Sequence, residues 1–174
     1  MGSYEKYFIK WRGKASCQTP YPTAHTLFWS FVTSFIAILI ISFLSLGAEV
    51  FPLMAPFGAS AVLMFGVPSA PFAQPRNLIG GHLTGALIGV LIFRLLGPSV
   101  IGVALAVSFS IVIMLILRAV HPPAGATALL GASISNGSFF WIINPILISV
   151  LILLVLALIV NNFDEERSYP EYWL

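Results

Sequence analysis

"RAVHPPAGATALLGASIS", Arg118 to Ser135, sets a histidine and two prolines ahead of a run of small residues, inside a chain that is otherwise almost oily. A proline in the first turn of a helix removes only an N–H that had no partner, and it presets the helical φ. Pro122 and Pro123 therefore read as the start of a short helix. The same start recurs upstream: "PFGASAVL" (Pro56 to Leu63) lies over "PAGATALL" (Pro123 to Leu130) at one constant offset, with Pro, Gly, Ala, Ala and Leu coinciding and Ser60 meeting Thr127. The ordered Pro-x-Gly-Ala-[Ser/Thr]-Ala is the core of an internal repeat.

Composition gives these short helices their solvent. The chain is 59% hydrophobic and 8% charged, against roughly 25% charged in a soluble domain, so it reads as an integral membrane protein. Four stretches look like full spans: Thr26–Leu46, Leu78–Leu96, Val100–Val120 and Phe140–Val160. Between the first two lies Pro56–Val67, and between the last two Pro122–Ser135, both shorter and rich in Gly, Ala, Ser and Pro. The expected fold class is an all-α integral membrane protein, with four full transmembrane helices and two short Pro/Gly-initiated helices in an inverted three-plus-three repeat. The whole chain, 1–174, is one membrane domain: a basic interfacial segment (1–25), repeat 1 (26–97), repeat 2 (98–161) and a polar tail (162–174).

The basic start followed by an apolar run resembles a signal peptide, but Leu27–Leu46 is as long as a bilayer needs, about 20 residues, and exceeds a secretory core of about 7–15. Tyr4, Tyr7, Phe8 and Trp11, with Lys6, Lys10 and Arg12 between them, give the stripe of a short interfacial helix. The tail ends in interface-seeking Tyr169, Tyr172 and Trp173. If the short segments cross the membrane, an inside N-terminus puts Arg76 and Arg118 inside and Arg94 outside; if they are re-entrant, Arg76 and Arg118 both fall outside. The excess of basic residues on cytoplasmic loops favours crossing, with both termini inside. Glu49 and His25 fall near opposite interfaces of the first span.

Each short helix start leaves amides open: Phe57, Gly58 and Ala59 in the first, Ala124, Gly125 and Ala126 in the second. Open amides and the positive end of the helix dipole suit a small anion, the dipole contributing about 0.3–2 kcal/mol. Ser60 and Thr127 add hydroxyls at matching places. In a bilayer such irregular backbone must line a cavity or be buried in protein, so the anion site stands against simple packing of two broken helices. His121, at the expected N-cap, either completes that site or merely caps the helix. Arg76 and Arg118 are candidates for drawing anions to the mouth, although Arg118 also suits headgroup snorkelling. His82 is an intramembrane ionisable residue, a pathway candidate or a hydrogen-bonding one. It lies beside Gly81, Gly85 and Gly89, a small-xxx-small stripe suited to close helix packing. Arg94 reads as an interface anchor, and Asn144-Pro145 predicts a kink.

"AVHPPAGATALLG" carries the His-Pro-Pro signature of the HPP family of small integral membrane proteins, and "PFGASAVLMFGVPSAPFAQPRNLIGGHLTGALIGV" (Pro56 to Val90) resembles the family's other long block. Family members in photosynthetic organisms are described as nitrite transporters. The resemblance thus implies transport of a small monovalent anion, most plausibly nitrite, in a bacterial inner membrane or a photosynthetic-organelle membrane. Two other classes compete with it: a membrane scaffold or regulatory subunit, and an intramembrane serine hydrolase using a serine of "GASA" or "GASI" with His82 or His121. The hydrolase is disfavoured because nothing in the sequence orients a histidine and Ser60 recurs as threonine. No enzyme activity, metal or cofactor is expected: the three histidines are scattered and no nucleotide-binding loop is present. Nucleic acid is not an expected partner. The sole cysteine, Cys17, precludes an intrachain disulfide. So few spans barely surround a pathway, which, with the glycine stripe, points to a homo-oligomer.

Overall fold

The computed structural model describes residues 21–44, 54–163 and 165–174. The interfacial helix expected around Tyr4–Trp11, Cys17 and Glu49 lie outside the described residues. Among the described residues the chain is helical throughout: α1 (Ala24–Leu44), α2 (Met54–Ala61) continuing as a π-helical turn (Val62–Gly66), a 3-10 turn (Pro71–Ala73), α3 (Pro75–Leu96), α4 (Val100–Ile116), α5 (Ala124–Ile134), a π-helical stretch (Ile142–Leu147) and α6 (Ile148–Phe163).

Among the described residues three helices are long and apolar enough to cross a membrane: Ala24–Phe43, Pro75–Leu96 and Ile142–Phe163. The fourth expected span falls short, because α4 stops at Ile116 rather than Val120. Arg118 adopts left-handed φ 52°, and Ala119 N–H closes the helix end on Met114 O at 2.9 Å. The turn is held from α3, where Arg76 Nη2 donates to Leu117 O (2.8 Å) and Asn77 Nδ2 to Val120 O (2.7 Å). At the other end of α3, Gly97 at φ 65° supplies the turn into α4, and Ser99 Oγ caps α4 through Gly102 N–H.

Contacts fix the direction of every segment. Arg167 bonds both Thr26 O, at the start of α1, and Phe65 O, at the end of the π turn, so the foot of α1, the exit of α2 and the end of α6 share one end of the bundle. Arg76 and Leu117 place the start of α3 and the end of α4 at an end, and Tyr169 Oη donating to Ala73 O (2.8 Å) makes it the same one. Arg94 Nε, at the far end of α3, takes Gly137 O after α5 (2.6 Å). The segments therefore alternate: α1 away from the shared end, α2 back, α3 away, α4 back, α5 away, α6 back. The two short segments run from one end toward the other rather than doubling back. At about 1.5 Å per residue, the 11 residues of α5 cover about 17 Å, so the remaining depth at that place is irregular backbone.

The glycine stripe explains how α5 fits. A Cβ on Gly85 would meet Ala124 O, one on Gly89 would sit 2.6 Å from Ala128 O, and one on Gly81 2.5 Å from His121 Cβ. The stripe is consumed inside the chain, against α5, and offers no surface to a second copy. Ile41, Phe57, Phe65, Leu78, Ile146 and Leu153 form the apolar core. The expected kink is present: Asn144, at φ −124°, ψ 114°, leaves the helical region and Pro145 follows in the π stretch. Most of the polar tail is exposed, but it is tied to the bundle at one buried residue. Tyr169 is buried, and burial pushes its phenol above the ordinary value; Glu171 N–H donates to Gln74 Oε1 (2.8 Å). The tail thereby clamps the Pro71–Ala73 turn.

Candidate functional site

The matched hydroxyls of the two Pro-x-Gly-Ala stretches meet at one histidine. Ser60, on the seventh residue of α2, places Oγ 2.9 Å from His82 Nε2. Thr127, one turn into α5, places Oγ1 2.8 Å from His82 Nδ1. His82 sits on the eighth residue of α3, about 10 Å along its axis from the shared end. His121 comes from the α4–α5 connection. Its Nε2 lies 2.9 Å from the same Ser60 Oγ and its Nδ1 2.7 Å from Phe72 O. Ser60 Oγ also reaches Pro56 O, 2.9 Å away in the preceding turn. The imidazole centroids are 4.9 Å apart, and Phe57 covers His82 at 5.5 Å. Ser60, His82, His121 and Thr127 all have 0% exposure, so the cluster is closed to both ends of the bundle.

Local sequence sets this geometry. The absence of side chains at Gly81 and Gly85 lets α5 and the residues before it lie against α3 at backbone distance, so the neighbouring His82 points along the α3–α5 seam. Pro122 and Pro123 turn the chain from His121 into α5, with Ala124 N–H bonding His121 O at 2.9 Å.

The amides expected to be open are not. Gly125 N–H and Ala126 N–H donate to Pro122 O and Pro123 O, both at 3.1 Å, because a tight turn ahead of α5 supplies the carbonyls that a helix start otherwise lacks. The amides of Ala124, Gly125 and Ala126 are therefore not open donors. In the first stretch the helix begins at Met54, two residues before Pro56, which makes Gly58 and Ala59 the fifth and sixth residues, past the amides that a helix start leaves open. Gly58 lines a separate groove of about 640 Å³ between α1 and α2, with Ser30, Ser34 and Phe65 on its walls. No charged group lines that groove. Nor does His121 cap α5: the N-cap is Pro123, without a side-chain cap bond, and both imidazole nitrogens are engaged elsewhere.

Of the expected site residues, Ser60, His82, His121 and Thr127 come together, and Gly58, Ala59, Gly125 and Ala126 do not. Pro56 supplies a carbonyl to Ser60, and Pro122 and Pro123 supply the carbonyls of the turn into α5. Arg76 holds Leu117 O at the shared end. Arg94 does more than anchor, since it donates to Gly137 O and lies 4.5 Å from the Phe139 ring centre. His25 accepts from Trp29 Nε1 (3.0 Å) and approaches Glu166 at 3.5 Å. The Phe72 and Pro56 carbonyls went unforeseen because backbone acceptors carry no residue signature. Asn77 holds Val120 O while its Oδ1 is buried without a hydrogen-bond partner among the described residues.

This arrangement sits inside a match to "HPP, transmembrane region" over residues 19–170. The chain belongs to the HPP family. Two transmembrane proteins of Dictyostelium discoideum resemble this HPP chain: one is 42% identical over 97% of the chain and 63% of its own length, the other 39% identical over 97% and 57%. The chain thus spans about three-fifths of the length of these curated relatives. No solved structure matches it. Family and apolar helices together make it an integral membrane protein.

Proposed function

We propose that this HPP chain carries a small monovalent anion across the membrane, nitrite foremost, through the place where Ser60, His82, His121 and Thr127 meet. The observation that carries the reading is the convergence of the two matched hydroxyls on both nitrogens of one buried imidazole. A weakly hydrated anion needs donors without a fixed charge that would trap it, since conduction requires a site favourable enough to enter and weak enough to leave. Hydroxyl and neutral imidazole groups carry no fixed charge and so meet that requirement; the amides before α5 are spent on turn carbonyls. Arg76 and Arg118, at the shared end, supply the attracting field. We place that end in the cytoplasm on the positive-inside rule. Any assembly of copies uses faces other than the glycine stripe. A bacterial inner membrane or a photosynthetic-organelle membrane fits a nitrite carrier.

The test is flux of nitrite, nitrate, chloride and formate into phosphatidylcholine vesicles holding the purified chain. Flux above protein-free vesicles, lost in Thr127→Val and Ser60→Ala that remain folded, supports the proposal. No flux of any of the four favours the scaffold or regulatory reading.

One observation favours a hydrolase more than the sequence did: Ser60 Oγ lies 2.9 Å from an imidazole whose other nitrogen is oriented by Phe72 O. Against it, Ser60 is buried mid-helix with its oxygen shared among three partners. Covalent labelling of Ser60 by a fluorophosphonate would establish that reading instead.

A further inference from the structure

We infer that the cluster takes up one proton, held on His121 Nε2, together with the anion, so that transport is electroneutral proton–anion symport; this rests on the transport reading above. The inference comes from counting hydrogens. A carbonyl only accepts, so the 2.7 Å contact to Phe72 O fixes the hydrogen of His121 on Nδ1 and leaves Nε2 of the neutral ring an acceptor. Pro56 O, 2.9 Å from Ser60 Oγ, is an acceptor as well. Ser60 has one hydrogen to give. Both acceptors lie at 2.9 Å from its oxygen, so in the neutral cluster one of the two contacts holds no hydrogen bond. Choosing the other tautomer of His82 only adds a third acceptor around Ser60.

A single added proton resolves the count, and it does so at one atom. With His121 Nε2 protonated, that nitrogen and His82 Nε2–H both donate to Ser60 Oγ, the Ser60 hydroxyl turns to Pro56 O, Thr127 Oγ1–H donates to His82 Nδ1, and His121 Nδ1–H keeps Phe72 O. All of the cluster's contacts are then hydrogen bonds. Protonating His82 instead leaves Ser60 facing Pro56 O and bare His121 Nε2 as before. The step breaks one O–H bond of hydronium, leaving water, and forms one N–H bond on His121; the Ser60 hydrogen only rotates.

The resulting imidazolium has no fixed counter-charge. The groups against it are Ser60 from α2, His82 from α3 and the Phe72 carbonyl from the 3-10 turn, with Phe57 and Thr127 beyond them on His82. Arg76, held on Leu117 O at the shared end, is itself cationic and supplies no counter-charge. Among the described residues the carboxylates, Glu165, Glu166 and Glu171, all lie in the tail. An unpaired buried cation is strongly disfavoured, so the proton loads only when an anion enters with it and leaves when the anion leaves.

The experiment follows nitrite and protons together. Phosphatidylcholine vesicles holding the full chain and a trapped pH dye are given an inward nitrite gradient at membrane potentials set with valinomycin, and protein-free vesicles are subtracted to remove leakage of the free acid. In parallel, ¹⁵N-histidine spectra of the wild-type chain in detergent are recorded with and without nitrite, His121 being assigned by its absence in His121→Gln. Expected are one proton entering with each nitrite, a rate indifferent to potential, and conversion of His121 from neutral Nδ1–H ring to imidazolium on adding nitrite. Nitrite flux that follows the potential and moves no protons, or a His121 that stays neutral at saturating nitrite while flux proceeds, overturns symport and leaves transport standing. Absence of flux for nitrite, nitrate, chloride and formate, with His121 neutral throughout, overturns both.

Discussion

Replacing Ser60 with alanine removes one oxygen that three groups share, Pro56 O, His82 Nε2 and His121 Nε2, each at 2.9 Å. Pro56 O loses little, since it is also a helix carbonyl. The two imidazole nitrogens lose a partner in a site with no exposure, and an unsatisfied buried polar atom costs about 1–3 kcal/mol. Some of this is recovered if the rings, with centroids 4.9 Å apart, tilt until His82 Nε2–H donates to His121 Nε2. We expect Ser60→Ala to destabilise by about 2–4 kcal/mol. Thr127→Val strips a single contact, His82 Nδ1 at 2.8 Å, and preserves shape; it should cost about 1–2 kcal/mol. The two are coupled, because Thr127 donating to Nδ1 is what keeps hydrogen on the Nε2 that donates to Ser60. The double variant should therefore cost less than the sum of the singles by about 0.5 kcal/mol or more. Reversible unfolding of the detergent-solubilised variants by SDS titration measures all three. A Ser60→Ala chain within about 0.5 kcal/mol of wild type, or strict additivity of the pair, would refute the reasoning.

Gly85→Val pushes a branched side chain into Ala124 O and should prevent α5 from docking, seen as loss of folded protein in detergent; Gly125→Val, whose Cβ meets nothing within 4 Å, should fold as wild type. Tyr169→Phe gives up the bond to Ala73 O, should cost about 1 kcal/mol, and should speed proteolytic removal of the tail. Because burial raises the Tyr169 phenol above its ordinary 10.0, the neutral tail latch contributes its full stability below about pH 10 and loses it as pH climbs through the folded-state value, which tail proteolysis against pH reads directly. Cysteines at Arg76 and Arg118 should react with a membrane-impermeant maleimide from the same side and one at Arg94 from the opposite side; labelling of Arg76 and Arg94 positions from one face would contradict the alternating segments.

The local features of the fold were legible because they depend on near neighbours in the chain. Apolar length marks α1, α3 and the last span; Gly97-Pro98 marks the turn before α4; Asn144-Pro145 marks the kink; and the Gly81, Gly85, Gly89 spacing marks a close helix contact. Ser60, His82, His121 and Thr127 stood out singly, as polar groups in an apolar setting. What their sequence positions could not convey was which of them touch, since Ser60 and His121 are separated by 61 positions and meet only once α5 has settled on the glycine stripe. Tertiary structure also decided where α4 ends, because the Arg118 turn answers to Arg76 and Asn77 on another helix. It spent the amides before α5 on turn carbonyls that no residue type announces. Hydrophobic length and helix-breaking residues act locally and are written in the sequence, whereas the hydrogen-bond partners of a buried histidine are fixed only when distant helices close over it and exclude water.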